Sequence, residues 1–347
     1  MNTAPSGGAV LVTGGSGYLG AHVVVRLLQD GHHVRATVRG PGRAAEVLEA
    51  VRNAGADPGG RLEVVAADLA CDDGWAEAVA GRDHVVHVAS PFPLEAPRHE
   101  DELIVPARDG ALRVLRAARD AGVKRVVMTS SFAAVGYSPK PGADYTEDDW
   151  TDPAAGIPAY HRSKTLAERA AWDFARTEGG GLELTVINPT GIFGPTLSPR
   201  LSTSTKLVKA MLDGHMRAVP RLYFGVVDVR DAADAHVLAM TGSAAAGQRF
   251  LAVGDGPAVT FPQIARIIAR RFPSLAARMA VTEIPDDQVR EGARIDPALE
   301  EAAGRLGHVP VMHNDKARDL LGWRPRDLET TLVDTVESLR RHGLLEG

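Results

Sequence analysis

The stretch VLVTGGSGYLG, residues 10–20, joins an apolar run to the start of an amphipathic helical pattern. It places glycines at 14, 17 and 20, a spacing one residue wider at its first gap than the common dinucleotide fingerprint. Glycines after a buried strand let the backbone approach a pyrophosphate, and the N–H groups that begin the next helix bind this anion. The stretch therefore predicts a dinucleotide site at the first strand–helix turn.

Around this stretch the chain alternates β-branched runs with helical patterns. Continuous apolar runs are typical of strands buried on both faces of a parallel sheet, and the segments between them predict right-handed helical crossovers. The runs cover residues 9–14, 33–39, 61–68, 84–90, 124–131 and 182–189. The predicted fold class is α/β, a doubly wound (Rossmann) parallel sheet with a smaller, discontinuous substrate-binding domain.

Composition changes after Pro189, where the sequence becomes rich in Gly, Pro, Ser and Thr. We expect a Rossmann domain, a substrate-binding region in two pieces and a C-terminal segment with a final helix. In the returning segment we predict turn and capping roles for Asp228 and Asp231, with Asp231 as the helix N-cap. The predicted boundaries are 1–190 with 226–255 for the Rossmann domain, 191–225 and 256–312 for the substrate region, and 313–347 for the C-terminal segment.

Charge and cysteine content limit the kinds of partner. The 347 residues carry a net charge of −5 with acids and bases interspersed, so we expect neither nucleic acid nor a membrane surface as a partner. The single cysteine, Cys71, excludes an internal disulfide framework, and the histidines lack metal-ligand spacing, so no metal site is predicted. Because no secretory or spanning segment is found, we expect a cytoplasmic monomer or homodimer acting on a small molecule.

The end of the second run indicates which dinucleotide is bound. Arg39 follows Val38 at the place where NAD-binding proteins usually present an acid to the ribose. The planar donors of Arg39 suit a 2′-phosphate, and Arg43 lies close enough to complete the pocket, which favours NADP(H). The alternative is a pair of solvated surface arginines. Asp68, which ends the third run, either contacts the adenine or caps the following helix.

A second constellation indicates hydride-transfer chemistry. Tyr160 and Lys164 stand four residues apart on a predicted helix and so share one face. A phenol of pKa about 10 exchanges protons slowly at neutral pH, and a nearby ammonium group lowers that pKa. Ser130 and Ser131 lie at the carboxyl end of the fifth run, where ligands bind in open α/β sheets. Helical spacing alone also fits a solvated helix face, but the ordered set makes that alternative weak.

The ordered motifs resemble the extended short-chain dehydrogenase/reductase family. Within that family the chain is most similar to the branch of dihydroflavonol reductases, cinnamoyl-CoA reductases and microbial carbonyl (aldehyde) reductases. The matching stretches cover nearly the whole chain and include VLVTGGSGYLGAHVV, VRATVR, DHVVHVASP, VKRVVMTSSFAAV, EDDWTD, YHRSKTLAERAAWDFA, INPTGIFGP, VDVRDAADAH and NDKARDLLGWRP.

The resemblance implies a role for each matching residue. Tyr160 would be the general acid, Lys164 would bind the nicotinamide ribose and tune Tyr160, and Ser131 would be the catalytic serine, with Ser130 as the alternative. The implied NADP(H)-binding set is Thr13, Gly14, Gly17, Tyr18, Leu19, Gly20, Arg39, Arg43, Asp68, Leu69, Ala89, Ser90, Tyr160, Lys164 and Pro189.

Apolar and aromatic residues favour a hydrophobic carbonyl substrate, although each of them also fits ordinary core packing. We therefore expect NADPH-dependent reduction of a ketone or aldehyde to the alcohol. The alternatives are a nucleotide-sugar epimerase or dehydratase, or a non-catalytic NADP-sensing protein. The chain has SSFAA where such dehydratases carry an acidic pair, and it retains the tyrosine and lysine that sensors lose. The substrate candidates are Phe92, Phe132, Ile192, Leu197 and Tyr223.

Overall fold

A computed structural model describes residues 7–90 and 99–345 of the chain. The strands are β1 Ala9–Thr13, β2 His33–Val38, β3 Leu62–Ala66, β4 His84–His87, β5 Arg125–Thr129, β6 Asp144–Tyr145, β7 Glu183–Pro189, β8 Gly191–Phe193, β9 Ala218–Val219, β10 Val226–Asp228, β11 Arg249–Ala252, β12 Thr282–Glu283 and β13 Val311–Met312. The α-helices are α1 Tyr18–Gln29, α2 Ala44–Asn53, α3 Trp75–Val79, α4 Asp101–Asp120, α5 Ala159–Thr177, α6 Thr203–Leu212, α7 Val229–Thr241, α8 Phe261–Arg271, α9 Asp286–Gly292, α10 Pro297–Arg305, α11 Asp315–Leu321 and α12 Leu328–Arg341.

Seven parallel strands form the central sheet, in the order β11-β7-β5-β4-β1-β2-β3. Helices α1, α2 and α7 pack on one face through a buried cluster of aliphatic side chains. Helices α3, α4 and α5 cover the other face. This arrangement confirms the doubly wound parallel sheet predicted from the sequence.

One strand differs from the prediction of burial on both faces. The side chains of β3 are half-buried or exposed, because β3 is the edge strand of the sheet and pairs only with β2. Its apolar side chains pack only in part against the two helical layers, Leu62 and Val64 on one face and Val65 on the other.

A further core lies outside the sheet. It contains residues of α6, α8 and α12 together with Phe193. Two short parallel pairs, β8 with β10 and β9 with β12, accompany it. The predicted domain boundaries stay a prediction, because this core and these strand pairs do not define where one domain ends and the next begins.

The N-cap of the helix that follows β10 lies three residues before the predicted one. Asp228 is the N-cap and accepts the N–H of Arg230 at 2.8 Å. Asp231 lies inside α7, buried, and accepts the backbone N–H of Arg326 at 2.6 Å. The prediction of Asp231 as N-cap was wrong because two aspartates of similar capping propensity stand close together.

The segment 194–200 is fastened to the first two helices. Tyr18 Oη donates to the carbonyl of Gly194 at 2.8 Å, and His22 Nε2 lies 2.9 Å from the carbonyl of Pro195. Asn53 Nδ2 donates to the carbonyl of Leu197 at 2.9 Å. These contacts join the segment after β8 to α1 and α2. Among the described residues, no helix is long and apolar enough to cross a bilayer.

Four histidines are buried within the described residues, and burial lowers the pKa of each. The pKa falls to about 4 for His22 and His236 and to about 3 for His87 and His161. In the unfolded chain a histidine takes up its proton at about pH 6.5. Since the unfolded state then binds more protons than the folded state, stability is full above that pH and is lost as the pH falls.

We expect the melting temperature to fall steadily between about pH 7 and pH 5, with each buried histidine costing about 2 kcal/mol at the lower value. In His22→Gln the side chain cannot titrate, but its amide can still reach the carbonyl of Pro195, so this variant should show a shallower loss. His215→Gln, at an exposed position, is the matched control and should follow the parent. Thermal unfolding followed by circular dichroism measures the effect, and equal melting temperatures at both pH values would contradict it.

Candidate active site

The turn after β1 brings a helix N-terminus against the end of the sheet. Gly14 has a φ of +70°, which favours glycine. A Cβ on Gly20 would lie 2.2 Å from the carbonyl oxygen of Gly14, so α1 approaches β1 as closely as it does only because residue 20 is glycine. Gly17 caps α1 without a side-chain hydrogen bond. The first N–H groups of α1 are therefore not satisfied by a cap, which fits a pyrophosphate.

Residues after β4 complete this turn. The two strands β1 and β4 are neighbours at the point where the strand order reverses. Thr13 Oγ1 accepts the N–H of Ala89 at 3.0 Å and lies 2.8 Å from Nδ1 of His87. A Cβ on Gly14 would lie 3.1 Å from Cα of Ala89. Thr13, Gly14 and Ala89 are thus brought together at one crevice.

Two residues predicted to bind the cofactor have side chains committed elsewhere. The Tyr18 hydroxyl contacts Gly194, and Leu19 is buried in the core under α1. Their backbone groups belong to the first turn of α1, so any contact with the pyrophosphate would come from the backbone. Sequence spacing identified the turn but not the direction of these side chains.

The two arginines predicted to bind a 2′-phosphate differ in their surroundings. Arg39 follows β2 and is exposed. Arg43 donates to Glu46 at 2.8 Å, and Glu46 also accepts from Arg200 at 3.0 Å. The two guanidinium groups, Arg43 first, lower the pKa of Glu46. Arg200, from the segment after β8, was not predicted, because no local motif marks it.

Asp68 and Leu69 follow β3 in a tight turn. Asp68 Oδ1 accepts the N–H of Ala70 at 2.9 Å, so its side chain stabilises its own turn. It does not cap α3, whose N-cap is Gly74. Leu69 is half-buried and packs against the core on the α4 face. Both residues lie near the edge of the sheet where β3 ends.

Ser131 lies close enough to Tyr160 to lower the pKa of its phenol. Ser131 follows β5 and caps a short 3-10 turn, where its Oγ accepts the N–H of Ala133 at 3.1 Å. Ser130 instead donates to Glu168 at 2.6 Å and is buried. The structure therefore places Ser131, rather than Ser130, against the phenol.

Lys164 lies one helical turn after Tyr160, with its Nζ 6.0 Å from the centre of the tyrosine ring. Its ammonium group donates to Ser90 Oγ at 3.0 Å. Burial lowers the pKa of Lys164 to about 8, against the opposing charge of Glu168. Lys164 therefore loses its proton at a lower pH than an ordinary lysine.

The pKa of Tyr160 is raised, where the sequence predicted that Lys164 would lower it. Burial raises this pKa, while Ser131 lowers it by less. Desolvation of the phenol outweighs the stabilisation of the phenolate. Tyr160 is therefore protonated at neutral pH, the state that a proton donor requires.

The predicted substrate residues lie in separate environments. Phe132 is buried and packs edge-on against Tyr137 and Tyr145. Ile192 and Leu197 pack against the core under α1. Tyr223 is half-buried before β10, and Phe92 lies outside the described residues. Pro189, predicted to bind the cofactor, is buried at the end of β7.

An aromatic cluster beside Tyr160 was missed from the sequence. Tyr137 stacks on His161 with ring centres 3.8 Å apart, and the guanidinium of Arg305 lies 4.2 Å from the centre of the Tyr137 ring. Tyr137 is close enough to raise the pKa of Tyr160. Nothing in the local sequence of α10 signals that Arg305 approaches this cluster.

Known proteins share this architecture. Residues 10–254 match the NAD dependent epimerase/dehydratase family. A cinnamoyl-CoA reductase of Medicago truncatula is 34% identical, covering 98% of this chain and 98% of that protein. A dihydroflavonol 4-reductase of Hordeum vulgare is 35% identical, covering 77% of this chain and 75% of that protein.

A solved structure agrees with these matches. Yeast methylglyoxal/isovaleraldehyde reductase Gre2, complexed with NADPH, superposes with a TM-score of 0.78 at 27% identity, covering 97% of this chain and 100% of that one. The resemblance seen in the sequence is confirmed: the chain belongs to the NAD dependent epimerase/dehydratase family, the extended short-chain dehydrogenases/reductases.

Proposed function

We propose that the protein is an NADPH-dependent oxidoreductase that reduces a hydrophobic ketone or aldehyde to the alcohol. The observation that carries this proposal is that Ser131, Tyr160 and Lys164 lie together at the carboxyl ends of the central strands, with Lys164 one helical turn after Tyr160. The glycine turn at the same edge fits a dinucleotide. Relatives named as reductases, and the NADPH bound to the yeast reductase, support the choice of cofactor.

Each residue of the group has a distinct part in the proposed reaction. Bound NADPH would supply the hydride. Tyr160, kept protonated by burial, donates its proton to the carbonyl oxygen of the substrate, while Ser131 holds that oxygen by a hydrogen bond. Lys164, fixed by Ser90, binds the ribose next to the nicotinamide and presents a positive charge to the developing phenolate.

The family name also covers epimerases and dehydratases. The residues after Ser131 are Phe132, Ala133 and Ala134, which are buried and apolar. They supply no acidic pair beside the hydroxyl, and this favours simple carbonyl reduction over dehydration.

The test is a panel of aryl ketones, β-ketoesters and aldehydes with NADPH, followed by loss of nicotinamide absorbance. Tyr160→Phe should lower kcat by about 10²–10⁴-fold while NADPH still binds, because only the donated proton is removed. Tyr145→Phe is the matched control, since the hydroxyl of that buried tyrosine contacts His308 rather than Ser131. Full activity of Tyr160→Phe would remove Tyr160 from its role, and an inactive parent would refute the reductase.

Arg39→Asp should move cofactor preference from NADPH toward NADH. The loss of one charged hydrogen-bonding partner for the 2′-phosphate should change the ratio of kcat/KM values by roughly ten- to a hundredfold. Arg52→Asp makes the same charge change at another exposed position, on α2, and should leave the ratio unchanged. If both variants behave alike, general electrostatics rather than a 2′-phosphate contact governs the preference.

A further inference from the structure

Glu168 is a fully buried carboxylate under the candidate active site. It accepts hydrogen bonds from Ser130 Oγ at 2.6 Å, from Asn188 Nδ2 at 2.7 Å and from Arg249 Nε at 2.6 Å. The indole N–H of Trp172 donates at 3.2 Å to Oε1, the oxygen that also accepts from Arg249. Four partners from different parts of the fold thus converge on one charge, which offsets the cost of burying it.

Two of these partners control the backbone around the candidate catalytic serine. Ser130 directly precedes Ser131, and its side chain is held by Glu168. Asn188, at the end of β7, donates both to Glu168 and to the carbonyl of Ser131 at 3.2 Å. Glu168 therefore fixes the peptide that carries Ser131 from two sides, and the Ser131 hydroxyl faces Tyr160.

Glu168 also acts on Lys164, which lies one helical turn earlier on α5. Burial disfavours the charge of Lys164, and the charge of Glu168 favours it. Two other elements bring titratable or charged groups to this pair. On β4, the charge of Lys164 helps to lower the pKa of His87. On β11, Arg249 forms an ion pair with Glu168, and its guanidinium lies 3.6 Å from the centre of the Trp150 ring.

We propose that Glu168 is the positioning residue of the active site: its carboxylate fixes the peptide carrying Ser131 through Ser130 and Asn188, one helical turn from Lys164. The assignment to catalysis rests on the proposed reductase function. The effect of Glu168 on Lys164 does not, because the two residues lie one helical turn apart on α5 whichever reaction the protein catalyses. No part of the local motif Y-x-x-x-K requires an acid four residues later, so this role is separate from proton donation.

The test combines an activity readout with one that is independent of activity. The chain has few lysines, so NMR of protein labelled with ¹³C at the lysine ε-carbon resolves Lys164, assigned with a Lys164→Arg variant. Glu168→Gln keeps the shape but removes the charge. We expect its Lys164 titration midpoint to fall below that of the parent, near pH 8, and kcat to fall by about ten- to a hundredfold.

Ser130→Ala tests positioning alone, and it leaves the ion pair of Glu168 with Arg249 intact, so folding is retained. We expect kcat to fall by about tenfold with an unchanged Lys164 titration and unchanged NADPH affinity. Asp231→Asn removes another buried charge, on α7, and serves as the control for lost stability. It should lower the melting temperature without changing either readout.

Two results would overturn the assignment. The first is an unmoved Lys164 titration in Glu168→Gln, and the second is parental kcat in Ser130→Ala. If Glu168→Gln does not fold, Glu168→Asp replaces it, with the charge kept and the reach shortened; an unchanged kcat in that variant refutes positioning. A parent without carbonyl reduction would refute the reductase, whereas the titration would still decide whether Glu168 sustains the charge of Lys164.

Discussion

The contact on which the site depends is the approach of α1 to the end of β1. A side chain at position 20 would collide with the carbonyl of Gly14, so the helix reaches its position only with hydrogen there. This approach brings the uncapped N–H groups of α1 to the crevice between β1 and β4. An anion in that crevice compensates helix ends that the protein leaves unsatisfied. The rest of the site is built beside this crevice, because Ala89 and Ser90 follow β4 there and Ser90 contacts Lys164.

From that edge the chemistry is assembled across separate layers. Ser131 comes from the sheet, Tyr160 and Lys164 from the helix that covers it, and Glu168 lies where the two meet. Burial then sets the protonation states: it holds the proton on Tyr160 and weakens that on Lys164. Glu168 lies one turn after Lys164 on the same helix, and its charge opposes the effect of burial on the Lys164 pKa.

The sequence predicted the sheet, the glycine turn and the Tyr160–Lys164 pair, because periodicity and glycine spacing are local signals. It did not predict the raised pKa of Tyr160, since burial of a phenol depends on packing by residues such as Tyr137 and His161 that are distant in position or unmarked by a motif. Glu168 was likewise invisible: one glutamate on an amphipathic helix resembles any solvated acid until Asn188 and Arg249 are brought to it. The contact of Arg200 with Glu46 was missed for the same reason, because the fold brings together two residues that are far apart in the sequence.

The hydrogen bonds that hold segment 194–200 determine which substitutions this part of the predicted substrate-binding region can accept. Tyr18, His22 and Asn53 contact main-chain carbonyls, of Gly194, Pro195 and Leu197. Every amino acid has such a carbonyl, so these three hydrogen bonds do not depend on the side chains of the segment; Gly194 is the exception in conformation, because its φ of +128° favours glycine. Substitutions at the other positions of the segment can therefore change the surface of the predicted substrate-binding region while the hydrogen bonds to α1 and α2 persist.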